Sequence, residues 1–417
     1  MRLFNKYITV FAWAAAAVLL MSGTVYAVPS DSEKPQDTMI STENMSDDIF
    51  EPLPEESKPA ATSADLQISS KSAILIEQKT GNIIYEKNAH EKLSPASVTK
   101  VMSLLLITEA IDRGDISLDT EITASEHASE MGGSQIWLKV GEVMTVDDLL
   151  KATVIASAND ATVALAEAIS GSEEVFVAEM NERAARLGMN DTVFKNCTGL
   201  DAEGHVTSAY DISVMSRELL RHDIIRNYST VWMDTLRGGK SQLVNTNKLV
   251  RFYEGTIGLK TGTTSKAGYC LSAAAERDGT VFIAVVMDAP SSKERFAEAR
   301  SLLSYGFANF TFRSFSVPSE ELTDIKVKGG TAEKVSVRAA GDCEFLLEKV
   351  NADRVTHITE LDEEIAAPVE EGEQVGMCRI FSGDEEIGTV KIVASSSVEK
   401  MSFLKAFLRL LGQMAVV

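Results

Sequence analysis

Histidine, cysteine and basic charge are all scarce in this 417-residue sequence. There are five histidines: His90, His127, His205, His222 and His357. No H-E-x-x-H helix motif is present, so the zinc-peptidase design lacks its ligands. No serine lies in a G-x-S-x-G elbow, so a Ser-His-Asp hydrolase lacks its usual nucleophile setting. The four cysteines, Cys197, Cys270, Cys343 and Cys378, match no zinc spacing. No metal and no cofactor are expected. Lys and Arg total 40 against 61 Asp and Glu, giving a net charge of −21. A chain so acidic is repelled by phosphate backbones, which argues against nucleic acid as a partner.

What is present begins with an export signal. Arg2 and Lys6 precede an uncharged apolar run over residues 8–21, and Val25-Tyr26-Ala27 offers small residues for cleavage after Ala27. An uncleaved anchor is the alternative, although the run is shorter than the ~20 residues that comfortably span a bilayer. Either way the remainder is expected outside the cytoplasm. That compartment permits disulfides. Cys343 and Cys378 fall in one predicted domain, but sequence alone pairs none of the four. Residues 28–65, rich in Ser, Pro, Asp and Glu, read as a disordered acidic tether.

From Leu66 the pattern is that of a folded domain. Residues 73–77 and 82–86 read as short strands, with Lys79-Thr80-Gly81 as the hairpin turn between them. Helices are predicted from Pro95, over 147–168 with a break near Ser157, over 172–187 and over 207–222. Strands follow over 268–275 and 280–287, then a helix over 293–307. Strands at both ends of a helical middle predict an α/β domain over 66–312 whose sheet joins distant parts of the chain. Residues 313–397 carry only short strand-like runs and read as a small all-β domain. In the tail, 398–417, Met401, Leu404, Leu408, Leu411 and Ala415 share one helical face, and Lys405 and Arg409 lie opposite. That pattern suits a helix lying in a membrane surface; an ordinary docking helix is the alternative.

Three short motifs carry chemistry. Ser97-Val98-Thr99-Lys100 is S-x-x-K, and residues three apart share a helical face. The lysine amine can therefore reach the serine hydroxyl and take its proton, as a weak nucleophile requires. Ser157-Ala158-Asn159 follows about 60 residues on. If the segment is an extended break, both side chains point into one cleft, where Ser157 could shuttle a proton and Asn159 hold a peptide amide. Lys260-Thr261-Gly262 comes about 100 residues later, with a cation for an anionic substrate and a glycine for close backbone approach. Each motif is weak alone. A second S-x-x-K, Ser397-Val398-Glu399-Lys400, introduces the tail, and a second K-T-G, Lys79-Thr80-Gly81, occupies the predicted turn. Both are read as decoys.

The ordered set of S-x-x-K, S-x-N and K-T-G is shared by penicillin-binding proteins and class A β-lactamases. Residues 66 to about 312 resemble the low-molecular-weight penicillin-binding proteins that are serine D-Ala-D-Ala carboxypeptidases. Segments 93–102, 156–161 and 258–269 carry the likeness, as do Gly199-Leu200-Asp201, His205, Thr207-Ser208-Ala209 and Asp211. The resemblance implies a β-lactamase/transpeptidase-like catalytic domain, followed by the β-domain and the amphipathic helix. It implies that Ser97 is acylated at the penultimate D-alanine of peptidoglycan stem peptides, and by β-lactams, with Lys100 as base and Ser157 as relay. Asn159 would bind the substrate amide, Lys260 support the electrostatics, and Thr261 contact the terminal carboxylate beside Gly262. Arg295 resembles the arginine that helps hold that carboxylate; otherwise it is a surface helix charge. The oxyanion hole would be the N–H groups of Ser97 and Thr263, where many relatives have histidine at position 263. His205 is expected to be structural. The implied location is the outer face of the cytoplasmic membrane or the cell wall.

Other readings of the same pattern are a β-lactamase, a peptidoglycan endopeptidase of the same fold, and a non-catalytic wall-binding protein. The middle motif reads Ser-Ala-Asn rather than Ser-Asp-Asn, and no convincing glutamate motif for deacylation precedes Lys260. The intact Ser97 and Lys100 argue against a binding-only protein.

Overall fold

The computed structural model describes residues 62–403 and 405–407. The expected signal segment, nearly all of the tether and most of the tail lie outside the described residues. The described residues open slightly before Leu66. Thr62 caps a short 3₁₀ turn over Ser63–Asp65, its N–H and hydroxyl both bonded to Asp65 at 3.0 and 2.9 Å.

Five antiparallel strands form the main sheet: β1 (Ser72–Glu77), β2 (Ile83–Lys87), β3 (Thr256–Thr264), β4 (Gly268–Arg277) and β5 (Thr280–Ala289), in the order β2-β1-β5-β4-β3. The expected hairpin turn at Lys79-Thr80-Gly81 joins β1 to β2, and the Glu77 carboxylate accepts from the Lys79 and Thr80 N–H groups. β1 and β5 read as unbroken apolar runs because both faces of the sheet are covered. Ile74, Ile76, Ile283 and Val285 face the helical part, while Leu75, Phe282, Ala284 and Val286 pack on the helix Ser292–Asn309 through Phe296, Leu302 and Leu303.

The helical part is built around α1 (Lys100–Arg113), which is buried nearly all round, as its uninterrupted Val101-Met102, Leu104-Leu105-Leu106-Ile107 composition requires. α2 (Val146–Ile155), α3 (Asn159–Ser170), α4 (Glu173–Arg186) and α5 (Ala209–Leu219) surround it, and α6 (Ser292–Asn309) closes the far face. Thr145, Ser172, Ser208 and Ser291 each cap the following helix by accepting a backbone N–H.

The second unit is all β, with three- and four-stranded sheets enclosing Val327, Phe345, Val375, Ile380 and Ile392. Its first strand, Phe310–Phe315, pairs with Cys343–Glu348. The expected boundary between residues 312 and 313 therefore falls inside a strand. All four cysteines are thiols, with Cys197, Cys270 and Cys378 buried. The tail differs from expectation at its start. Val398 pairs with Val369 and Lys400 bridges Gly330, so residues 398–400 edge the β-domain, and helix begins at Phe403. Among the described residues no helix is long and apolar enough to cross a membrane.

Candidate active site

Ser97 lies in a 3₁₀ segment, Ala96–Thr99, that runs directly into α1. Two glycines hold this segment close to its surroundings. A Cβ on Gly262 of β3 would stand 2.9 Å from Pro95 O and Ser97 N and 3.0 Å from Ala96 Cβ. A Cβ on Gly199 would run into the Ala96 carbonyl. Only residues without a side chain let these strands of backbone approach so nearly. Ala96 itself has φ +48°, a left-handed conformation that a non-glycine residue rarely adopts.

Lys100 is fully buried, one helical turn beyond Ser97. Its Nζ is 3.2 Å from Ser97 Oγ, 2.6 Å from Asn159 Oδ1 and 2.8 Å from the Thr198 carbonyl. The Thr198 carbonyl is aimed by Asn196, whose side-chain oxygen accepts from the Thr198 and Gly199 N–H groups at 3.2 and 2.7 Å. The i,i+3 reading of S-x-x-K thus corresponds to a 3.2 Å contact, while nothing in the motif signals the Thr198 carbonyl.

The middle motif differs in conformation from the extended break expected. Ser157 has φ +63°, Ala158 is extended, and Asn159 already opens α3. The left-handed turn keeps Ser157 buried, and its Oγ has no hydrogen-bond partner among the described residues. Asn159 is engaged at both ends, with its amide donating to the Gly132 carbonyl at 2.6 Å while its oxygen accepts from Lys100. Its neighbour Asp160 accepts from the N–H groups of Ile136 at 3.1 Å, Leu138 at 3.0 Å and Ala161 at 2.8 Å. Burial pushes the Asp160 carboxyl above its ordinary range, against the pull of those three donors. Asn159 and Asp160 together fasten the loop 132–138 beside Lys100.

On β3, Lys260 pairs with Ser272 and Thr261 with Leu271, so the two side chains leave opposite faces as expected. Both are buried; Lys260 Nζ donates to the Thr261 carbonyl at 3.0 Å, and Thr261 Oγ1 to Thr246 Oγ1 at 2.7 Å. Arg295 is not a surface charge. It is buried under β3 and donates to the Gly262 carbonyl at 3.1 Å, Thr263 Oγ1 at 2.9 Å and the Cys270 carbonyl at 3.3 Å. Thr263 therefore has a side-chain contact that holds the arginine, in addition to its backbone N–H.

Each histidine is placed elsewhere: His90, His127, His222 and His357 pair with Asp191, Glu173, Asp112 and Glu321. His205 accepts from the Lys195 N–H at Nδ1, 3.3 Å, so Nε2 carries the proton donated to Thr99 Oγ1 at 2.9 Å. Burial lowers its pKa to about 4 and keeps it neutral. Through Thr99 it braces the Ala96–Thr99 segment. Among the described residues no cluster of His, Cys, Asp or Glu could hold a metal ion.

A serine hydroxyl against a dehydrated lysine, beside a glycine-bearing strand, defines the class of serine acyl-transfer enzymes with the penicillin-binding fold. Residues 58–291 match the D-alanyl-D-alanine carboxypeptidase family model, and residues 310–400 match the penicillin-binding protein 5 C-terminal domain. The chain is 40% identical over 353 residues to D-alanyl-D-alanine carboxypeptidase DacF of Bacillus subtilis, covering 84% of this chain and 91% of the relative. Penicillin-binding protein 5 from Haemophilus influenzae superposes with a TM-score of 0.71 at 29% identity, covering 80% of this chain and 98% of that one. Penicillin-binding protein D2 from Listeria monocytogenes, in its ampicillin-bound form, gives 0.51 at 32% identity, over 58% and 99%. The chain belongs to the low-molecular-weight penicillin-binding D-alanyl-D-alanine carboxypeptidases.

Proposed function

We propose that this chain removes the terminal D-alanine from peptidoglycan stem peptides ending in D-Ala-D-Ala, through an acyl-enzyme on Ser97. The observation that carries this reading is the 3.2 Å approach of the fully buried Lys100 Nζ to Ser97 Oγ. A neutral lysine amine has two N–H bonds and one lone pair. With the Asn159 and Thr198 oxygens as acceptors for the two N–H bonds, the lone pair is left for the serine proton. Ser97 Oγ then bonds to the penultimate carbonyl carbon, and the developing oxyanion is met by the Ser97 and Thr263 N–H groups. The C–N bond breaks, and Ser157, whose hydroxyl has no partner among the described residues, relays the proton to the departing amine. Water cleaves the ester and restores Ser97. Lys260, Thr261 and Arg295 bias the β3 side of the cleft toward the terminal carboxylate, and Asn159 holds Lys100 in place while facing the substrate amide. β-Lactams, whose strained amide imitates the dipeptide, acylate the same oxygen.

The test is intact mass after penicillin exposure together with D-alanine release from a D-Ala-D-Ala peptide. One adduct and free D-alanine are expected, both lost in Ser97→Ala and both retained in Ser397→Ala. Ser397 Oγ merely accepts the Glu371 N–H at 3.0 Å. An adduct surviving Ser97→Ala refutes the assignment. A rapidly lost adduct with no D-alanine release would mark a β-lactamase instead.

The export and membrane readings belong to the same proposal. The basic, apolar N-terminus directs the chain across the membrane. The tail helix then rests on the lipid surface. Phe403 and Phe407, one turn apart, are 88% and 49% exposed with ring centroids 6.5 Å apart, which supports an outward apolar face. Mature protein with residues 402–417 removed should no longer sediment with anionic vesicles, yet should acylate normally. Equal sedimentation with and without the tail would overturn this part.

A further inference from the structure

The loop from Gly132 to Val143 carries an apolar surface that the fold does not need. Trp137 is 56% exposed, Val140 65% and Val143 51%. A large aromatic left in water forgoes the burial that usually justifies its presence. Trp137 also has φ +59°. For a bulky residue that conformation is costly and persists only where the surroundings over-determine it.

Here they do. The Asp160 carboxylate takes the N–H groups on either side of Trp137, from Ile136 at 3.1 Å and Leu138 at 3.0 Å. Arg237 donates to the Ile136 carbonyl at 2.9 Å and pairs with Glu142 at 2.7 Å. Three backbone groups flanking one strained, exposed tryptophan are thus fixed by two buried or half-buried ionic side chains. One of these, Asp160, adjoins Asn159, which touches Lys100. The loop is held rigid against the nucleophile, and its aromatic side chain is held out.

We propose that Trp137 is a specificity residue of the carboxypeptidase site, an apolar platform for the aliphatic side chain of the stem-peptide residue that precedes D-Ala-D-Ala. The inference rests on the carboxypeptidase reading above. Reach selects this occupant. The N–H groups on either side of Trp137 are tied to Asp160, next to Asn159, which sets the loop within reach of positions one or two residues from the scissile bond, each spanning about 3.3–3.6 Å. The sugars lie at the far end of the stem, several residues beyond. An aliphatic side chain laid over the indole buries apolar area without requiring a charge partner, and the exposed Val140 and Val143 extend the patch in the same chemical sense.

The test uses two peptides that differ only at that residue: Nα,Nε-diacetyl-Lys-D-Ala-D-Ala and N-acetyl-Gly-D-Ala-D-Ala. The full chain should favour the lysine peptide in kcat/KM. In Trp137→Ala the lysine-to-glycine ratio should fall about tenfold, the discrimination that 1.4 kcal/mol provides. Trp137→Phe should keep most of it. Penicillin acylation and the melting temperature report whether the variant is folded. An unchanged ratio, whether both rates hold or both decline together, overturns the proposal. If the parent releases no D-alanine from either peptide, the carboxypeptidase reading itself fails, and that outcome is distinct from an unchanged ratio.

Discussion

Replacing Gly262 by alanine should injure acylation far more than it injures the fold. The new methyl would stand 2.9 Å from Pro95 O, 2.9 Å from Ser97 N and 3.0 Å from Ala96 Cβ. Ordinary contact between such atoms is about 3.5 Å, so β3 and the nucleophile segment must separate by roughly half an ångström or more. All three neighbours are main chain or Cβ, so no side chain can swing aside. Overpacking of this kind costs roughly 1–3 kcal/mol of stability, which a domain of this size tolerates. The displacement, however, falls on the two elements that carry Ser97 and the Thr263 N–H, and a misplacement near 1 Å costs about 10²-fold in rate. The assay is the second-order rate constant for acylation by a fluorescent penicillin, read beside thermal melting. Gly341→Ala, where nothing lies within 4 Å of the added Cβ, is the control. A Gly262→Ala protein that acylates at the parent rate would refute the claim that close approach of β3 to Ser97 is required.

Lys100→Ala should reduce acylation by about 10²–10⁴-fold, the usual contribution of a placed general base, while Ser97 remains present; a parent-like rate in a folded variant removes the lysine from the mechanism. His205 gives a pH signature. With a folded pKa near 4 against the ordinary 6.5, the unfolded chain takes up a proton as pH falls below 6.5 while the folded chain does not. Stability from this residue is therefore full above 6.5 and declines as pH drops toward 4, by up to roughly 3 kcal/mol. Urea unfolding of parent and His205→Gln at pH 7.5 and 4.5 should show the parent's advantage shrinking at the lower pH; parallel changes in the two proteins would refute it.

Local spacing made much of this molecule legible. Ser97 and Lys100 are one helical turn apart in any helix, and the apolar runs at 73–77 and 280–287 read as strands, though only the fold shows that both their faces are buried. The main gaps come from contacts distant in sequence. The Thr198 carbonyl and the Asp160 carboxylate are ordinary residues until folding brings them against Lys100 and Ile136. Nothing local reveals that Arg295 turns inward, because its three acceptors lie 25 to 33 residues upstream. The left-handed turn at Ser157 escaped because Ser-Ala-Asn suits a helix cap as well as a break. The strand at Phe310–Phe315 was divided because its partner, Cys343–Glu348, comes 28 residues later.

The left-handed backbone at Ala96 and Ser157 has an implication for engineering. Relief is available by single substitutions. Glycine at position 96 or 157 accepts the left-handed conformation without a Cβ penalty. A library screened for heat resistance alone should therefore be enriched at these positions, and its winners should be progressively deaf to penicillin. Thermal hardening and catalytic competence pull this cleft in opposite directions, so any directed evolution of the chain needs an acylation readout alongside the melting curve.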